Sequence, residues 1–202
     1  ATVGSDTASK DAAVAGVDTA VSDAVTAGGT DAAKTLTLTT GIDKFTGGSG
    51  NDIFNADNTG ASEVTSTADT LDGSTGDSDT LNIFSDGTIA AAPSTSNIEI
   101  LNLYDEDTDF TATSTYAGVS TMNFIRGDGT IDFAVSNTVT TVGLQDMVIA
   151  GAGGTDGVGV TYGAATTSAT LNLTAVSTAG ADADEDITVA GTKLTSLTVN
   201  VL

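Results

Sequence analysis

Residues 96–103 read SNIEILNL, and within them Leu101-Asn102-Leu103 sets an amide between two leucines. In an extended chain neighbouring side chains point to opposite faces, so both leucines share one face and Asn102 takes the other. The same order recurs in Leu81-Asn82-Ile83, Met122-Asn123-Phe124, Val142-Gly143-Leu144, Leu171-Asn172-Leu173 and Leu197-Thr198-Val199. First residues of the six triplets are separated by 20, 21, 20, 29 and 26 positions. Ile98, Val119, Val139 and Leu194 each lie three positions before a triplet.

A strand returning every twenty or so residues fits one strand per coil of a solenoid, where each coil shares hydrogen bonds and core with its neighbours. Shorter alternations between the triplets, IDFAV at 131–135, VGVTY at 158–162 and DITVA at 186–190, supply a second strand for the coil. The expected fold is mainly β, a right-handed parallel β-helix or β-roll solenoid whose longer intervals carry bulging loops. Asn102, Asn123 and Asn172 then stack as an amide ladder, a structural role. An antiparallel sandwich also accommodates short strands with regular turns. The repeated triplet favours the solenoid.

The composition is as uneven as the pattern is regular. Among 202 residues there are 5 Lys+Arg against 27 Asp+Glu, with no Cys and no His, for a net charge of -22. Such a chain repels nucleic acid and anionic membrane surfaces. It attracts divalent cations, or it works in high salt where its charge is screened. Without Cys there is no disulfide framework, and bound calcium is another staple. No apolar run approaches the ~20 residues of a membrane span. No basic segment followed by an apolar one marks a signal peptide, and the strand-like SLTVNVL at 196–202 reads as part of a longer chain.

Residues 1–34 have a different texture. Val14, Val17, Val21 and Val25 are spaced by three or four in an Ala-rich run, with Ser5 or Asp6 to cap it and Gly28-Gly29 to stop it. This predicts an N-terminal helix, covering one end of a β domain at 35–202 or joining it to an upstream one. A partner-binding helix is the other reading.

Candidate chemistry begins at TGGSGNDIF, 46–54. Gly47, Gly48, Gly50, Asp52 and Phe54 fit the nonapeptide pattern in which glycines fold a tight turn and aim carbonyls at calcium. The Asp adds a carboxylate, and the apolar residue enters the core. LDGSTGDSDTL at 71–81 is an imperfect copy with Gly73, Gly76, Asp79 and Leu81, Ser74 in place of a glycine and one extra residue before the Asp. Asp69, Asp72 or Asp77 can complete its coordination. The plain alternative for both stretches is an ordinary Gly/Asp turn. Two acidic clusters, Asp105, Glu106, Asp107 and Asp109, and Asp182, Asp184, Glu185 and Asp186, read equally as calcium loops or solvated loops. Asp128, in RGDGT at 126–130, reads as a turn former. Lacking His and Cys, the chain has no usual catalytic triad and no thiol nucleophile. Paired carboxylates alone, with three Tyr and no Trp for a sugar platform, do not point to an enzyme.

Together, TLTLTTGIDKFTGGSGNDIFNA at 35–56, ADTLDGSTGDSDTLNI at 68–83, SNIEILNL and GVSTMNF at 118–124 resemble RTX-type, Caulobacter-like bacterial surface-layer (S-layer) proteins. The resemblance covers about residues 35–202 and implies calcium-driven folding outside the cell after type I secretion. It further implies assembly with other copies into a two-dimensional lattice on the cell surface, where cell-surface polysaccharide is a further partner. RTX adhesins and scaffolds of secreted enzymes use the same modules. Only Gly47, Gly48, Gly50 and Asp52, then Gly73, Gly76 and Asp79, match the calcium motif.

Overall fold

In the computed structural model, residues 32–76, 78–87, 91–106, 110–111, 116–127, 131–149, 157–178 and 186–202 are described. The helix expected within residues 1–34 falls almost wholly outside them. Among the described residues the regular structure is all strand, and every strand pair is parallel.

The chain winds as coils that each return to one long sheet. That sheet holds, in spatial order, β1 Thr35–Thr37, β3 Ile53–Asp57, β5 Thr80–Gly87, β7 Ile100–Glu106, β9 Thr121–Ile125, β11 Thr141–Gln145, β14 Ser168–Thr174 and β17 Ser196–Val201. Opposite it, β2 Lys44–Thr46, β4 Thr70–Asp72 and β6 Ser94–Ser96 form a short sheet over the first coils. Over the later coils, β8 Phe110–Thr111, β10 Ile131–Ala134, β13 Gly157–Thr161 and β16 Asp186–Ala190 form another. A small third wall pairs β12 Val148–Ile149 with β15 Ser177–Thr178. Spatial order follows chain order around the winding, so the architecture is a parallel β-solenoid. The IDFAV, VGVTY and DITVA runs supply β10, β13 and β16.

Register turns the repeated triplet into columns. Asn55, Asn82, Asn102 and Asn123 align in successive strands, and Asn82, Asn102 and Asn123 each donate Nδ2–H to the Oδ1 of the preceding asparagine at 2.8–2.9 Å. Gly143 takes the next position, and the Asn123 carboxamide leans into the space a Cβ would fill there. The ladder resumes with Asn200 donating to Asn172 at 2.8 Å. That pairing corrects the expected last triplet: Leu171-Asn172-Leu173 faces Val199-Asn200-Val201, two positions beyond Leu197-Thr198-Val199. Phe54-Asn55-Ala56 is a further triplet that the calcium motif conceals.

The apolar partners of these amides point inward. Phe54, Leu81, Leu101, Met122 and Val142 form one buried column, and Ala56, Ile83, Leu103, Phe124 and Leu144 another. Phe124 stacks on Phe133 with centroids 3.5 Å apart, and Phe110 meets Phe124 edge-on at 5.8 Å. At the far end β17 has no further strand stacked on it among the described residues, and Val199 and Val201 are 50% and 81% exposed. Near the end of β7 and directly after β9, β11 and β14, Asp105, Arg126, Asp146 and Ala175 all take positive φ, between 51 and 64°. They stack as one repeated turn, where Arg126 binds both Asp105 oxygens at 2.7 and 3.0 Å and lies over the Tyr104 ring.

Candidate metal centre

The two glycine turns expected from sequence lie one upon the other. Gly47 follows β2 and its N–H donates to the Asp72 carbonyl at 2.7 Å; Gly73 follows β4 and donates to Ser96 at 2.9 Å. Thr75 N–H then reaches the Gly48 carbonyl at 3.3 Å. Glycine is required by this closeness. A Cβ on Gly47 would overlap Asp52 Oδ2 and stand 2.6 Å from the Gly73 oxygen; one on Gly73 would overlap the Asn97 carbonyl. At Gly76 it would meet the Gly50 oxygen and both Asp79 oxygens at 2.6–2.7 Å. Oxygen atoms therefore crowd the bare faces of these glycines.

After each turn the chain enters the long sheet through one corner position. Lys34, Asp52, Asp79 and Glu99 immediately precede β1, β3, β5 and β7, whose first residues are paired in register, so the four stack. Asp52 accepts the Lys34 N–H at 2.7 Å and the Gly48 N–H at 2.5 Å. Asp79 Oδ1 accepts the Asp52 N–H at 2.6 Å, and Glu99 accepts the Asp79 N–H at 2.9 Å. Asp52 and Asp79 are completely buried.

Asp79 Oδ2 has no hydrogen-bond partner. A buried charged oxygen without a donor is costly, and a lone carboxylate in that state favours its neutral form or a cation. Burial pushes the Asp79 carboxyl above its ordinary value; the Asp52 N–H offsets part of this, and the charges of Asp52, Glu99 and Asp72 raise it further.

Of the residues singled out in the sequence, Gly47, Gly48, Gly50, Asp52, Gly73, Gly76 and Asp79 come together here. Asp69 belongs to a different corner, where its carboxylate accepts N–H bonds from Asp43 and Ser66 at 2.9 and 2.7 Å. Asp72, at the end of β4, accepts the Ser74 N–H and the Asn97 amide at 3.0 and 2.8 Å, and these bonds hold its carboxyl below the usual range. Asp105 lies at the other end of β7 from Glu99 and is paired with Arg126. Asp77, Asp107, Asp109, Asp128, Asp182, Asp184 and Glu185 fall outside the described residues, as does the Glu106 side chain. Lys34 and Glu99 were not singled out in the sequence. Their membership of the column depends on inter-coil register, for which no local motif exists.

Calcium takes six to eight oxygens in flexible geometry and accepts carbonyls as readily as carboxylates. Among the described residues no three acidic side chains gather into a ligand cluster of their own. A calcium ion here would therefore need a mixed donor set, to which Asp79 with its unpartnered oxygen, Asp52 and the carbonyls of the glycine turns could contribute. No family model, curated protein or solved structure matches the chain.

Proposed function

We propose that this chain is a calcium-stabilised structural segment of a secreted surface-layer protein, a right-handed solenoid that is not itself an enzyme. The observation that carries the calcium reading is the buried, unpartnered Asp79 oxygen beside Gly73 and Gly76, within a motif whose glycines serve oxygen-lined contact between coils. Parallel coils and a net charge of -22 supply the rest. At low calcium the stacked carboxylates repel one another and loosen the first coils. At extracellular millimolar calcium, ligation neutralises them, so that folding and binding become one event. A rigid, closely stacked rod with few cations on its surface suits lattice assembly with further copies of itself, joined through calcium and subunit contacts.

Circular dichroism and thermal melting, with millimolar calcium and with excess chelator, test the first part. Loss of β signal or a lower Tm on chelation is expected. An unchanged spectrum and Tm would remove calcium from the proposal. Electron microscopy of the full-length protein in calcium tests the second: ordered sheets support a coat, and isolated filaments or monomers favour an adhesin module or an enzyme scaffold.

A further inference from the structure

We infer that Lys34 is a cation built into the chain, which closes the N-terminal end of the acidic corner. Lys34 occupies the position above Asp52 that acids fill in the next coils, since its N–H meets the Asp52 carboxylate just as the Asp52 N–H meets Asp79. Its ammonium reaches over the first glycine turn and donates to the Gly47 carbonyl at 2.7 Å. The lysine stem passes along Gly48: a Cβ there would lie 3.4 Å from Lys34 Cε and 3.6 Å from Nζ. A carbonyl of the glycine motif is thus bound by a positive charge that the protein supplies itself. The chain has only 5 Lys+Arg, and this one lies at the start of its stacked acids.

The consequence is a division of labour along the corner, and it rests on the calcium reading only for its lower half. Between the two glycine turns, where Asp79 Oδ2 has no donor, the positive charge comes from solution. Above the first turn it comes from Lys34. The ammonium is a tethered single charge with three donors and binds one carbonyl without closing a cage of oxygens. The first turn therefore keeps its shape at calcium concentrations that leave the lower site empty.

The test compares Lys34→Gln with Lys193→Gln, an equal change of net charge at an exposed residue in the last turn, in the full chain. In calcium-free, low-salt buffer K34Q is expected to melt at least about 3 °C below K193Q. Millimolar calcium or 1 M NaCl should narrow that gap, because an external cation or screening replaces the lost ammonium. Equal melting of the two variants without calcium overturns the inference. So does a gap that neither calcium nor salt narrows, since that would make Lys34 a packing residue. The calcium reading is judged separately, by whether the wild-type Tm responds to calcium.

Discussion

Asp79→Asn should change sign with calcium. The substitution keeps Oδ1 as acceptor for the Asp52 N–H and removes the charge of the one buried carboxylate oxygen among the described residues that has no donor. Leaving a buried polar group unsatisfied costs about 1–3 kcal/mol, and more when it is charged. For a chain of this length 1 kcal/mol moves Tm by roughly 2–4 °C. In chelator D79N is therefore expected to melt about 2–12 °C above the wild type. In calcium the order reverses, because a ligand at 1,000 times its Kd stabilises by about 4.1 kcal/mol, more than the ~1–3 kcal/mol gained in chelator, and the variant forfeits it.

The same residue fixes the direction of a pH effect. Asp79 has a folded-state pKa raised above 3.8. Its contribution to stability is full below that unfolded value and is lost as pH rises through the folded one. In calcium-free buffer the wild type should lose stability on this account from about pH 4 upward, and D79N should show a flatter profile. Differential scanning calorimetry of both proteins, in chelator and in calcium, reads all of this. A D79N that melts lower in chelator would refute the unsatisfied-oxygen reasoning. One that keeps the full calcium response would remove Asp79 from the ligands.

Three other changes probe the frame. Asn102→Ala deletes two 2.8 Å rungs of the ladder, which at ~0.5–1.5 kcal/mol each should lower Tm by about 2–12 °C; an unchanged melt would reduce the ladder to decoration. Gly73→Ala drives a methyl into the Asn97 carbonyl and should cost about 1–3 kcal/mol or more in denaturant unfolding, whereas Gly60→Ala, with open space around it, should lie between neutral and about 1 kcal/mol stabilising; similar values for both would contradict the stacked-turn geometry. Ala175 sits at φ 51°, so Ala175→Gly should stabilise by up to about 1 kcal/mol, while Ala169→Gly, buried within β14, should destabilise; a loss at Ala175 equal to that at Ala169 would refute the backbone reading.

Much of the fold was legible because the triplet is a local signal with a global partner. Apolar–Asn–apolar fixes which face is inside, and repetition fixes what stacks on it. The slip at the last strand shows the limit. SLTVNV offers Leu197-Thr198-Val199 and Val199-Asn200-Val201, and a shift of two residues leaves every side chain on the same face. Only the Asn172–Asn200 bond between coils decides. Phe54-Asn55-Ala56 was hidden for the opposite reason, since its first residue already served a second motif. The candidate metal site followed the same division. Its glycines and aspartates form a recognisable turn, whereas Asp69 and Asp72 are selected in the sequence only by proximity along the chain; in the fold the charge of Asp72 acts on Asp79. One belongs to a separate corner, and the other is bonded to Ser74 and Asn97 at the end of β4.

Why the acids stop at Glu99 follows from where the backbone N–H groups go. In the first coils the corner N–H is met by a side chain of the coil below: Lys34 by Asp52, Asp52 by Asp79, Asp79 by Glu99. From Glu99 onward the corner N–H turns to the carbonyl of the coil above. Glu99 donates to Asp79, Ser120 to Glu99 and Thr140 to Ser120, at 2.9–3.1 Å. Once carbonyls satisfy these donors the carboxylate has no backbone duty, and the following corner positions are the hydroxyl residues Ser120 and Thr140. Each acid of the column thus satisfies a backbone N–H of the neighbouring coil whether or not a cation is present. The stack therefore uses its carboxylates for hydrogen bonding, and a bound cation, as proposed, would answer their charge; the two needs converge on Asp79. There one oxygen serves the Asp52 N–H and the other has none to serve. Past Glu99 the coils rely on apolar packing, with Phe124 stacked on Phe133 at their centre. On the proposed calcium reading, the acids of this described column place the external cation in the coils that carry the glycine turns.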